Sequence, residues 1–256
     1  MSDGYVRTDV KNGIATITFH HPKSNSLPAE VLQQMATAIE LAGADSATRV
    51  IVLRSDGGKA FCAGASFDEL LAIDSAAKGK AFFSGFGMVI NAIRKAPYLV
   101  IGRIHARAVG GGVGLAAACD VSYAHESASA RLSELAIGIG PFVVGPAVER
   151  KMGTGAFTLM TTTPDTWRDA AWCAAHGLYA GVSGTIAELD EVVGSHAGQL
   201  AMLNPEAMMA LKTTFWRGTE DWDVFLEKRA AISGRLVMSD FTVKAIQRFK
   251  AEAGKH

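Results

Sequence analysis

Glu134 stands alone among apolar neighbours in Leu132-Ser133-Glu134-Leu135-Ala136-Ile137, and the run closes at Gly138-Ile139-Gly140-Pro141. Apolar surroundings disfavour the charged form of a carboxyl group, which moves its pKa towards neutrality and suits it to take up and return a proton. A glutamate at a surface strand end would give the same local pattern. Two other segments could act through their backbone. Gly110-Gly111-Gly112-Val113-Gly114 follows an apolar run and opens a helical one. Consecutive glycines let the main chain approach a ligand closely, and the helix behind them aims unsatisfied N–H groups and a positive dipole end at it. That arrangement stabilises an oxyanion, although a tight strand-to-helix crossover would use the same residues. The second segment, Ala60-Phe61-Cys62-Ala63-Gly64-Ala65-Ser66-Phe67, also follows a strand signal and has only small residues at its centre.

Other chemistries are excluded by pattern. The glycine run is out of register for G-x-G-x-x-G, because Leu115 stands where the third glycine is needed, and no Gly-Lys-Ser/Thr follows to make a phosphate-binding loop. There is no G-x-S-x-G elbow for a nucleophilic serine. The seven histidines show no H-x-x-x-H or other metal spacing, so no metal site is expected.

The elements that must position these residues alternate between strand and helix. Val6–Val10 and Gly13–Phe19 are rich in β-branched and aromatic residues and are parted by Lys11-Asn12-Gly13. A helix is expected next, with Ser26 as its cap, Pro28 in its first turn and Val31, Met35 and Ile39 on one face. Val50–Leu53 and Leu99–Ile104 read as apolar strands, Asp68 to about Ala96 as a looser helical stretch, and Val113–Cys119 as a short helix. From about Ile186 the signals are almost all helical: Pro205–Trp216, Trp222–Leu236 and Ser239–Ala253. Met202, Met208 and Met209 cluster there as adaptable core or subunit contact. This order indicates an α/β layer structure with a helical C-terminal region.

The chain has 256 residues, 49% of them hydrophobic, and 25 Lys+Arg balance 25 Asp+Glu. A chain of this size buries roughly 70–75% of its unfolded surface in one large domain. Zero net charge argues against binding nucleic acid, whose phosphates require an excess of basic side chains. Cys62, Cys119 and Cys173, odd in number and widely spaced, read as reduced thiols in a cytoplasmic protein. The first five residues lack the basic and apolar pattern of a signal peptide. The longest uncharged apolar run, Ala108–Cys119, has twelve residues, where a membrane span needs about 20.

Taken together and in order, three segments resemble the crotonase (enoyl-CoA hydratase/isomerase) superfamily: Phe61–Ala65, Ala108–Leu115 ending at Cys119-Asp120, and Leu132-Ser133-Glu134 with Gly138 and Pro141. His21-Pro22-Lys23-Ser24-Asn25-Ser26-Leu27 is similar to the family's N-terminal CoA-contacting loop, and the resemblance covers about Tyr5 to Lys250. It implies a crotonase-like spiral of ββα turns over residues 1–190, binding acyl-CoA. It assigns 191–256 to a helical region that builds homotrimers or dimers of trimers. It further implies that the N–H groups of Ala65 and Gly111 form an oxyanion hole for a thioester carbonyl, and that Glu134 is the catalytic acid/base. Ala63 would contact the CoA adenine and Lys23 would lie near its phosphates, with Gly64, Gly110 and Gly114 completing the substrate-binding set. No resident cofactor is implied, since CoA arrives as part of the substrate.

One position departs from the family pattern. Many family hydratases carry two glutamates, the first two residues after the triple glycine, and here that position is Gly114. Glu134 must then serve alone or with help from Glu126, Asp68 or Glu69. A single carboxylate suffices for double-bond isomerisation, taking the α-proton and returning it at the γ-carbon. Gly-Gly-Gly-Val-Gly-Leu followed by Ser-Glu is nevertheless similar to bacterial methylglutaconyl-CoA hydratases of leucine breakdown, which favours hydration over isomerisation and over a non-catalytic acyl-CoA-binding role. A 3-methylglutaconyl group carries a free carboxylate, for which Arg131, Arg103, Arg107 or Lys151 could supply the cation. Phe241, Lys244 and Phe249 fall near one face of the last helix, suited to packing or to a neighbour's CoA.

Overall fold

The computed structural model describes residues 4–253. Its strands are β1 (Tyr5–Lys11), β2 (Ile14–His20), β3 (Ser26–Leu27), β4 (Val50–Ser55), β5 (Ala60–Cys62), β6 (Gly64–Ala65), β7 (Leu99–Ile104), β8 (Arg107–Val109), β9 (Val121–His125), β10 (Ser129–Arg131), β11 (Arg168–Asp169) and β12 (Gly181–Ser183). Its helices are α1 (Ala29–Ala44), α2 (Phe67–Leu71), α3 (Ala76–Lys95), α4 (Gly111–Ala118), α5 (Gly145–Thr162), α6 (Ala170–Ala175), α7 (Ile186–Ala201), α8 (Pro205–Phe215), α9 (Trp222–Leu236) and α10 (Asp240–Ala253).

A repeated unit organises the chain. A long strand enters one sheet, a short strand enters a second, and a helix returns: β4 and β5 precede α2 and α3, β7 and β8 precede α4, and β9 and β10 precede α5. The long strands, with the three-residue β12 at one edge, form a six-stranded sheet in the order β1-β2-β4-β7-β9-β12, and other short ones form β11-β10-β8-β5. The fold is therefore α/β, a ββα spiral with a helical C-terminal region.

The alternation of side chains along the central strands explains the layers. Val50 and Val52 of β4 pack with Leu189, Val193 and Ala197 of α7 on one face. Ile51 and Leu53 face the main core with Met35 and Ile39 of α1 and Ile90 and Ile93 of α3. A parallel strand covered on both faces must read as a continuous apolar run, as β4 does. The residue 190/191 boundary drawn from sequence falls within α7, so that one helix carries residues of both segments.

Several local expectations are corrected. Ser26 does not cap α1: Pro28 is the N-cap residue, and Ser26 instead joins β3, where its hydroxyl donates to the Ala65 carbonyl at 2.9 Å. The Asp68–Ala96 stretch is two helices, and the second is started by Ser75, whose hydroxyl accepts from Lys78 N–H. Of the clustered methionines, Met208 is buried and Met202 is exposed.

The C-terminal helices are tied down through polar as well as apolar contacts. Asp120, directly after α4, accepts hydrogen bonds from Lys212 Nζ at 2.6 Å, Trp216 Nε1 at 2.8 Å and the Val100 N–H at 2.7 Å. Lys151 of α5 donates to the Cys119 and Asp120 carbonyls at 2.8 and 2.6 Å. This buried network joins α8 to the sheet.

Candidate active site

The two backbone segments singled out by composition meet in space. β5 and β8 pair in parallel, which sets the Ala63–Ala65 loop beside Val109–Gly111. A Cβ built on Gly64 would lie 3.9 Å from Gly111 N. Ala65 and Gly111 thus bring two backbone amide groups to one cavity of about 280 Å³, also lined by Ala63, Gly64, Gly110 and Glu134. Gly110 makes the turn possible, with φ +52° and ψ −110°, a conformation that side-chain-bearing residues rarely adopt. Its N–H donates to the Arg131 carbonyl at 2.9 Å and its carbonyl accepts from Val113 and Gly114 N–H. Gly111 is the first residue of α4, so its N–H has no partner within the helix.

Glu134 begins a single 3-10 turn, Glu134–Ile137, that follows β10. Gly138 closes the turn and the Ile139 N–H returns to the Glu134 carbonyl at 3.0 Å, which fixes the direction of the side chain. The carboxyl group lies over Gly110: a Cβ there would be 2.9 Å from Glu134 Oε1. Oε2 is buried with no hydrogen-bond partner. Burial pushes the carboxyl pKa up to about 7, opposed only by the residue's own backbone N–H. A group with that pKa exchanges protons readily near neutral pH.

The remaining candidates separate clearly. Ala63, Gly64, Ala65, Gly110, Gly111 and Glu134 all line the cavity. Gly114 lies outside its lining, because Val144 covers it: a Cβ on Gly114 would fall 2.6 Å from Val144 Cβ. Lys23 is exposed and ion-paired with Asp68, also outside the lining. None of the helper carboxylates suggested by sequence reaches the cavity. Asp68 holds Lys23, Glu69 accepts from the Ala29 N–H at the start of α1, and the Glu126 N–H joins the Ser183 carbonyl. Among the four cations considered, Arg103 pairs with Asp190, Lys151 serves the Asp120 network, and Arg107 stacks on Trp167; only Arg131 lines the cavity. Phe241 packs beside Gly138 while staying mostly exposed, and the side chain of Phe249 lies outside the described residues.

Sequence reasoning missed the apolar wall and one acid. Phe82, Phe83 and Phe86 of α3 line the cavity with Phe142, Val143 and Val144. Phe86 stands three residues after Phe83 and four after Phe82, a helical spacing that was a usable signal. Asp165 also lines it, from the exposed loop after α5, and nothing local in the sequence marks it.

The family model for enoyl-CoA hydratase/isomerase matches residues 9–251. A Bacillus subtilis (strain 168) protein described as a probable enoyl-CoA hydratase is 30% identical over 142 residues, 55% of this chain and 55% of its own length. The mitochondrial methylglutaconyl-CoA hydratase of Rattus norvegicus is 37% identical over 117 residues, 46% of this chain and 37% of its own. The chain thus spans little more than half the length of the first relative and less of the second. The fold is similar to a crystal structure of enoyl-CoA hydratase from Bacillus halodurans, with a TM-score of 0.88, 21% identity and coverage of 95% of this chain and 99% of that one.

Proposed function

The chain belongs to the enoyl-CoA hydratase/isomerase family, and we propose that within it this protein adds water to the double bond of a 2-enoyl-CoA thioester. The thioester oxygen sits between the N–H groups of Ala65 and Gly111. Water attacks C3, the π electrons of the C2–C3 bond move to the C1–C2 bond, and the negative charge gathers on the thioester oxygen. Glu134 takes a proton from the attacking water and gives one to C2, which restores the carbonyl. CoA enters as part of the substrate. Removing one oxyanion donor from such a site typically costs about 10²–10³ in rate.

One observation carries the reading: a carboxyl group with one buried, unpartnered oxygen and a pKa raised to about 7 shares a cavity lined by Ala65 and Gly111. The test is the loss of conjugated-thioester absorbance on mixing with crotonyl-CoA or 3-methylglutaconyl-CoA. Loss with at least one is expected, abolished in Glu134→Gln with CoA affinity retained. No loss with either substrate, or an active Glu134→Gln, would refute the reading. The likeness to the rat methylglutaconyl-CoA hydratase supports the second substrate.

The cover of Val144 over Gly114 favours a second reading, because it leaves Glu134 without a buried partner acid. As an isomerase the protein would take the C2 proton of a 3-enoyl-CoA and return it at C4 through the dienolate, creating conjugation and leaving 2-enoyl-CoA untouched. Exposed Val224, Leu211 and Phe241 on the C-terminal helices support assembly into trimers.

A further inference from the structure

Arg131 ends β10 three residues before Glu134, and its backbone carbonyl holds the Gly110 N–H. Arg131 lines the same cavity as Glu134. Among the described residues, no carboxylate lies within ion-pair distance of it, and no acceptor lies within hydrogen-bond distance of its guanidinium. Its Nε is buried without a partner. Arg54 and Arg168 also have a buried Nε without a partner, but each engages a neighbour through another nitrogen, Arg54 with Asp56 at 3.8 Å and Arg168 with the Thr163 hydroxyl at 3.0 Å; Arg103 is paired with Asp190, Lys212 with Asp120, and Lys151 with two carbonyls. A buried guanidinium N–H left without an acceptor in a cavity that Phe82, Phe86 and Val144 also line is costly unless a ligand completes it.

The support beneath Arg131 holds it ready for a planar anion. Its guanidinium carbon lies 4.6 Å from the centroid of the Trp167 ring, and that of Arg107 lies 5.3 Å from the same centroid. A guanidinium held over an aromatic ring can keep its N–H edge free, the edge that grips a carboxylate through two parallel hydrogen bonds. Arg107 adds a second positive charge at the same ring.

We propose that Arg131, braced on Trp167, binds a carboxylate at the far end of the acyl group, so that the preferred substrate is the CoA thioester of an unsaturated dicarboxylic acid. The proposal rests on the reading of this cavity as an acyl-CoA site. The CoA phosphates offer a similar anion, but Arg131 lines the same cavity as the reacting carboxyl of Glu134. It is also two strands away from β5, with Ala63 following β5. Asp165, exposed on the cavity rim and not ion-paired with Arg131, weakens the local field, so Asp165→Asn is expected to strengthen the preference.

Binding of saturated thioesters tests this without turnover. Calorimetry would compare glutaryl-CoA, valeryl-CoA and free CoA on the wild-type protein, Arg131→Met and Arg131→Lys. The wild type is expected to bind glutaryl-CoA roughly 10- to 100-fold more tightly than valeryl-CoA, the range of one charge-assisted hydrogen-bonded pair. Arg131→Met should lose that preference, Arg131→Lys should keep part of it, and affinity for free CoA should not change in either. Equal affinities in the wild type, or a preference that survives Arg131→Met, would overturn the proposal while leaving the acyl-CoA reading intact. An equal loss of free-CoA affinity would assign Arg131 to the phosphates and also overturn it. Failure of every thioester to bind would refute both.

Discussion

Two buried carboxyl groups in this chain meet opposite fates. Asp120 is surrounded by donors: Lys212, the Trp216 indole and the Val100 amide. Glu134 has a buried oxygen that nothing in the protein satisfies. Burial alone therefore does not tell a structural acid from a reactive one; the supply of donors does. Where donors close around the charge, the group becomes a joint between elements, and Asp120 joins α8 to β7 and α4. Where they are withheld, the charged form is penalised and the group is left with an affinity for protons near neutral pH.

The widest expected difference is in rate. Glu134→Gln keeps the shape of the cavity and removes the proton carrier, so turnover should fall by about 10²–10⁴. The pH profile gives the finer check. Glu134 must be ionised in the free enzyme to take a proton from water, so kcat/KM should rise with pH through a midpoint of about 7. A rise centred near 4.5, the ordinary glutamate value, would mean that the unsatisfied burial has no chemical consequence.

Asp120→Ala attacks the opposite case. It strands the Lys212 ammonium, whose pKa burial already lowers while Asp120 holds it up. Breaking one partner of a buried pair typically costs about 3–5 kcal/mol, which a shift of the urea unfolding midpoint would read. Activity per folded molecule should change little, since Asp120 is outside the cavity lining. A variant that unfolds as the wild type does would show that the network only decorates the joint.

Stability gives Glu134 a signature of its own. The Glu134 pKa is raised from 4.5 to about 7, so the folded protein holds its proton more tightly than the unfolded chain does. The penalty is absent below about pH 4.5, grows as pH rises through that window, and is complete above about 7. At about 1.4 kcal/mol per pH unit, this is ~3 kcal/mol that Glu134→Gln should recover at high pH and not at low. Equal urea midpoints for the two proteins at pH 8 would refute it.

The two acids were not equally legible in the sequence. Glu134 was visible because a lone acid interrupts an apolar run, and the glycine and small-residue loops were visible because only such residues permit close backbone approach. The strands β4 and β7 and the helix α9 were read almost to the residue, since each is one uninterrupted apolar or amphipathic signal. Asp120 looked like the plain end of a helix, because its partners come from residues about a hundred positions later. Asp165 and the pairing of Ser26 with Gly64 were hidden for the same reason. Helix α5 was missed because Gly153 breaks it, with φ +78°, into pieces too short to show a period.

The smallest expected effect concerns the missing second acid. Gly114 is packed against Val144, and the pair explains why a carboxylate cannot simply be restored at that position. Even a methyl group there would fall 2.6 Å from Val144 Cβ, so Gly114→Ala should destabilise the protein by about 1–3 kcal/mol through overpacking. Val144→Ala removes the atoms in conflict, so the double variant should regain part of that loss, a coupling that a double-mutant cycle isolates. If the two losses simply add, Val144 is not what closes the position. If they couple, Gly114→Glu in the Val144→Ala background becomes the informative enzyme. It would introduce a second carboxylate on the side of the cavity that Val144 now closes, and a gain in hydration relative to isomerisation would identify the lone acid as the feature that divides the two activities in this chain.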